Sequence, residues 1–128
     1  MLRKYMSLLG IGSAQIDLIL QKETYKFGDS VHGYFLIKGG TIEQQIKRID
    51  CDLIMSDCTA LVEKVIDTTT ILTSRLIHTE ELNKISFAFQ LPVCVPVSSH
   101  EVSYHFKTRL TFSKGVVSRD QDIIQIIQ

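Results

Sequence analysis

Tryptophan is absent from this 128-residue chain, and aromatic residues make up only 8% of it. That argues against a carbohydrate-binding cleft, which would be built on aromatic platforms. No sign of charge dominates either: 14 Lys and Arg balance 14 Asp and Glu, for a formal net charge of +0. The general electrostatic footprint of a nucleic-acid binder is therefore missing, and the positive charges are scattered. No apolar run approaches the roughly 20 residues of a membrane-spanning helix. The start, "MLRKYMSLLGIGS", has two basic residues, but Ser7 and Gly10 break its apolar stretch before a secretory core of about 7–15 residues can form. The three cysteines, Cys51, Cys58 and Cys94, are an odd set without metal-ligand spacing. They read as reduced thiols of a cytoplasmic protein.

Reaction chemistry is equally sparse. No pair of the four histidines has helical i, i+4 spacing, and no carboxylate or cysteine completes a metal motif. His32 and His105 fall on outward faces of strands, and His78 and His100 at strand or loop ends. There is no G-x-S-x-G elbow, and Cys94 stands between two prolines without an evident base. Gly39-Gly40 is followed by no Lys-Ser/Thr pair and no helix, so it is not a phosphate cradle. No catalytic residue, metal ligand or cofactor is assigned.

What the chain does have is a period of two. Ala14, Ile16, Leu18 and Leu20 alternate with polar residues, as do Val31, Gly33, Phe35 and Ile37 with His32, Tyr34, Leu36 and Lys38. The same pattern sets Ile49, Cys51, Leu53 and Met55 on one side, and Ile85, Phe87, Phe89 and Leu91 on another. It is clearest in "VSYHFKTRLTFS", where Val102, Tyr104, Phe106, Leu110 and Phe112 share a face interrupted only by Thr108. Residues 60–79 are rich in β-formers without a clean stripe and fit two edge-like strands or one long bulged strand. "DIIQIIQ" reads as a final strand. Turn residues separate these runs at Phe27-Gly28-Asp29-Ser30, Gly39-Gly40, Pro92 to Pro96 and Ser113-Lys114-Gly115.

Seven or so short strands without a long helical pattern predict an all-β fold, an antiparallel, immunoglobulin-like β-sandwich of one domain over 1–128. Leu2, Tyr5, Met6 and Leu9 recur at helical spacing, which predicts a short amphipathic helix and lead-in over 1–12. Two turns of helix do not stand alone in water and need a platform. Gly33, inside a strand on its inward face, marks a close approach by another element. A phenylalanine of the facing sheet is the expected filler.

Several segments together resemble the bacterial sporulation-control family SpoOM. They are "GIGSAQID" at 10–17, "VHGYFLIKGGTIEQQIKRI" at 31–49, "SFAFQLPVCVPVSSHEV" at 86–102 and "SRDQDIIQI" at 118–126. "YKFGDSVHGYFLIKGG" also resembles the arrestin-like pattern of a turn before a strand with valine then glycine, with Phe27 and Asp29 in place of its proline and glutamate. The resemblance implies an arrestin-like amino-terminal sandwich, with the second sandwich of the family absent here. It also implies a non-enzymatic cytoplasmic regulator or adaptor that acts by binding proteins. A small-ligand or carbohydrate-binding sandwich is the alternative. In such folds buried charges can lock domains together, but Arg119, Asp120 and Asp122 are read as local ion pairs in a solvated turn.

One outward group stands out. With the first two strands as neighbours, Ile19, Tyr34 and Leu36 lie together where polar groups are expected, and contiguous apolar groups mark docking surfaces. The expected cover is the amino-terminal segment (Leu2, Tyr5, Met6, Leu9) or a protein partner. Strand-edge pairing into a homodimer is a further route. Arg3 and Lys4 supply too little charge to anchor the chain at a membrane surface.

Overall fold

The computed structural model describes residues 12–128. Within them lie nine strands: β1 (Gln15–Leu20), β2 (Thr24–Lys26), β3 (Ser30–Lys38), β4 (Gln44–Asp57), β5 (Val62–Leu72), β6 (Leu76–Ile77), β7 (Leu82–Gln90), β8 (Val102–Phe112) and β9 (Val117–Ile127). They form a sandwich of two sheets. The smaller has the order β1-β3-β7, the larger β2-β9-β8-β4-β5, with β6 attached to β4. The alternating residues meet between the sheets, as the period of two requires: Ile16, Leu18, Val31, Phe35, Ile37, Leu53, Phe87, Tyr104, Phe106 and Phe112 are all buried. At their centre Phe106 of β8 meets Phe87 and Phe89 of β7 at centroid distances of 5.5 and 5.2 Å, and Phe87 meets Phe35 at 5.2 Å. These edge-to-face contacts are worth about 0.5–1.5 kcal/mol each beyond the area they bury. Thr108, the polar break in the β8 stripe, is fully buried, and its hydroxyl lies 3.5 Å from Cys51 Sγ.

Residues 60–79 resolve into the long bulged strand plus a short one. The β4–β5 register shifts between Leu53 and Ile54, leaving Ile66 as the extra residue of β5. β2 was not foreseen. After β1 the chain crosses to the other sheet and pairs there in parallel with the end of β9, Tyr25 lying opposite Ile126. Three residues are too few to display a period, so β2 had no sequence signal. Its anchor is Tyr25, buried to 2% exposure, whose hydroxyl donates to the Lys22 carbonyl at 2.8 Å.

Gly33 does mark a close approach, but the expected filler is wrong. A Cβ there would sit 2.1 Å from the carbonyl oxygen of Ile19. The neighbouring strand's backbone takes the space, not a phenylalanine of the facing sheet. Gly40 has the same role, with the Gly12 carbonyl 2.0 Å from where its Cβ would lie. Thr41 N–H donates to that carbonyl at 2.9 Å. These contacts fix where the chain enters β1. The predicted helix of Leu2, Tyr5, Met6 and Leu9 lies outside the described residues. Among the described residues no helix is long and apolar enough to cross a membrane.

Candidate functional site

The outer face of the small sheet brings the predicted apolar group together. Ile19 of β1 stands directly across from Tyr34 of β3, and Leu36, two residues on, faces Asp17 and Lys84. All three side chains are half-buried. Lys84 Nζ lies 4.8 Å from the centre of the Tyr34 ring, a cation–π contact that shields one end of the group. A shallow hollow of about 360 Å³ runs between Ile19 and Tyr34, with His32, Ser86 and Ala88 on its far wall. It offers apolar surface and a flanking cation, with no convergent set of polar groups for reaction chemistry.

The histidines and cysteines are dispersed. His78 Nδ1 lies 3.0 Å from Glu43, which raises its pKa, and His105 Nε2 lies 3.8 Å from Glu63. Burial pushes the Cys51 thiol up to about 12, so it stays protonated, while Cys58 and Cys94 are exposed.

Asp120 and Asp122 are not in a solvated turn. Both lie within β9, across from Thr108 and Phe106, so they face between the sheets while Arg119 points outward. Outward-facing Arg119 stands across from Arg109, which reaches Asp50 at 3.5 Å. Asp50 is itself buried and chelated by Arg48 at 2.8 and 2.9 Å. The inward pair has a different task. β1 is an edge strand, and its spare backbone donors are met by side chains of β9: Leu18 N–H donates to Asp120 Oδ2 at 2.9 Å and Ile16 N–H to Ser118 Oγ at 3.4 Å. The sandwich is thus closed along this seam by side chains, without a backbone ladder.

Asp17 joins them there, and oxygens of Asp17, Asp120 and Asp122 lie within 4.8 Å of one another. Burial, then a hydrogen bond with Asp120 and its charge, holds the Asp122 carboxyl up at about 7. Burial and Asp120 raise Asp17 as well. Three carboxylates at this spacing cannot all ionise cheaply, so they share protons. The sequence signal for the seam was the pattern S-x-D-x-D leading into I-x-I. It places Ser118, Asp120 and Asp122 on the same face as the buried Ile124 and Ile126.

A pH effect follows, with a definite sign. A carboxyl whose folded pKa lies above its unfolded value of 3.8 stabilises fully below about 3.8. That contribution is lost as pH rises through the folded value near 7. Asp50, Asp57 and Glu81, whose pKa values are lowered, act oppositely and only in acid. Asp122→Asn is therefore expected to stabilise the fold at pH 8 by about 1–2 kcal/mol, a full-shift figure reduced because the group is partly solvated. At pH 4 it should have little effect. Urea unfolding of both proteins at the two pH values measures this, and equal differences at both would refute the shared-proton seam.

Comparison with known proteins identifies the lineage. The family model described as SpoOM protein matches residues 2–128. The chain belongs to the SpoOM family. It is 30% identical to the sporulation-control protein Spo0M of Bacillus subtilis (strain 168) over 128 residues, covering 95% of this chain and 50% of that protein. The crystal structure of that SpoOM protein superimposes with a TM-score of 0.82 at 30% identity, over 92% of this chain and 51% of the other. The chain therefore spans about half the length of the relatives it matches. A Niemann-Pick type C2 protein from Japanese carpenter ant superimposes with a TM-score of 0.59 at 7% identity, covering 90% of this chain and 93% of that one. This last likeness is one of fold alone.

Proposed function

We infer that this SpoOM domain is a non-enzymatic cytoplasmic regulator or adaptor of sporulation that works by binding other proteins. The observation that carries the reading is the apolar group of Ile19, Tyr34 and Leu36, with a hollow beside Ile19 and Tyr34, on an otherwise solvated sheet face. Family membership, and the name of the Bacillus subtilis relative, supply the physiological setting. The group is shallow, and the Lys84 ammonium beside it already rests on Tyr34, which suits a flat protein surface better than an enclosed small molecule.

The test is a quantitative pull-down from native lysate with the wild-type protein and a Tyr34→Ser/Leu36→Lys double variant. Both positions are half-buried and on the outer face, so the fold should lose no more than about 1–2 kcal/mol. Capture of the specific partners is expected to fall at least tenfold. An unchanged set of captured proteins would overturn the outer face as the docking surface. In wild type the amino-terminal segment is the proposed competing cover. Leu36→Lys should release it, and unchanged amide protection over residues 2–9 would count against that cover.

A further inference from the structure

A sandwich must protect four sheet edges, because each edge strand presents unpaired backbone donors and acceptors. Three of them are protected here. The spare amides of β1 are capped by Ser118 and Asp120. β2 is only three residues long, and the part of β9 before it adjoins β1 at the side-chain seam. β5 carries a bulge and three charges, Glu63, Lys64 and Asp67, and the Asp67 carboxylate takes the Thr68 amide at 2.8 Å. The fourth edge, β7, is nine residues long, contains no proline and bears one charge, Lys84.

Which groups β7 exposes follows from pairing alone. Ile16 and Leu18 donate away from β3, so their partners Ile37 and Phe35 turn their backbone groups toward β7, meeting Asn83 and Ile85. The amides and carbonyls of Lys84, Ser86 and Ala88 therefore point outward. No described residue bonds them.

The space beside this edge has a floor. Three strands of the small sheet face five of the large one, and β5 projects beyond them. Lys64, Asp67, Thr69 and Ile71 of β5 lie across from the core-facing Met55, Leu53, Cys51 and Ile49, yet Lys64 and Asp67 are exposed and Thr69 and Ile71 only half-buried. There is room above β5 for one more strand, about 4.8 Å wide. In an antiparallel β7–β7 pair both large sheets would lie on the same side, so the β5 strands of two copies would compete for the space that one added strand fills. Two cations flank the start of the edge, Arg75, which reaches Asn83 Oδ1 at 3.4 Å, and Lys84, while Glu81 is turned into its own loop, accepting the His78 amide at 2.7 Å, and Lys64 and Asp67 balance on the floor.

We propose that the β7 edge is a strand-acceptor site for a single extended peptide segment of a protein partner, apolar at alternate positions and acidic beside Lys84. The segment adds as a fourth strand to the small sheet, its apolar side chains covering Thr69 and Ile71. This deepens, and rests on, the reading of the domain as a protein-binding module.

The probe is the nine-residue peptide TVEVTVEVT, acetylated and amidated, followed by amide exchange and titration in NMR. Binding is expected to slow exchange of the Lys84, Ser86 and Ala88 amides at least tenfold. Ser86→Pro removes an outward N–H that none of the nine described strands uses, so it should keep the fold and weaken binding at least tenfold. Lys84→Glu, a second variant that leaves the backbone intact, should reverse preference toward TVKVTVKVT. Absence of binding, protection on another edge, or an unaffected Ser86→Pro variant would overturn the proposal. So would concentration-dependent dimerisation of the free protein that protects the same three amides. The probe needs neither Tyr34 nor Leu36. Probe failure with partner capture intact removes the strand acceptor alone, and probe binding with capture unaffected by the Tyr34→Ser/Leu36→Lys change removes only the outer-face surface.

Discussion

Phe106→Ala is expected to destabilise the domain by about 3–5 kcal/mol, a large share of the total stability of a chain this size. The side chain is fully buried, and its ring is the point where β8 of the large sheet meets both Phe87 and Phe89 of the small one. Truncation loses the transfer energy of the ring, leaves a cavity between rigid sheets and removes two aromatic contacts together. The loss should not be local. β7 is held to its own sheet on one side only, by β3, so packing against Phe106 is a principal restraint on its position. Urea denaturation gives the equilibrium loss. Amide exchange should rise first in β7. A cost under 1 kcal/mol would mean that the sheets are not pressed together at this point. Phe106→Leu, which refills most of the volume, should recover more than half of the loss.

Gly33→Ala is expected to cost up to about 3 kcal/mol, the upper range for forcing extra atoms into packed structure. The obstacle is the Ile19 carbonyl oxygen, 2.1 Å from the new carbon, and a backbone atom cannot swing aside as a side-chain tip can. Relief requires β1 to separate from β3. That movement would also pull Leu18 N–H from Asp120 and open the seam to β9. The change should therefore alter the pH dependence of stability along with its magnitude. The destabilisation at pH 8 should be smaller than at pH 5, because the strained carboxyl group is already relieved when the seam opens. Thermal unfolding at both pH values separates this outcome from a simple packing loss, which would be the same at each. A fully tolerated alanine would mean that β1 and β3 do not approach as described.

Both predictions concern residues whose importance was visible in the sequence to different degrees. Phe106 sits in the cleanest alternation of the chain, so its burial followed from the period of two. Gly33 was conspicuous as a glycine within a strand, but its partner was misassigned. A glycine records that space is taken and carries no mark of what takes it. The outer group of Ile19, Tyr34 and Leu36 was legible because pairing the two long strands now seen as β1 and β3 fixed the register. Lys84 lying over Tyr34 was not, since it comes from β7, which is distant in sequence. Asp120 and Asp122 were misplaced for a related reason. Read locally, S-R-D-Q-D has the polarity of a turn, and only the edge of β1 on the far sheet gives inward carboxylates something to bond.

The sequence by itself determined that the chain makes strands, which side of each long strand is apolar, and that two such sides must meet. These depend on the alternation of side chains along an extended backbone, a property each segment carries within itself. Tertiary structure alone decided which edges are sealed, which one stays open among the described residues, and where three carboxyls share protons. Those outcomes depend on distances between segments as far as 102 residues apart, and no local pattern encodes such distances.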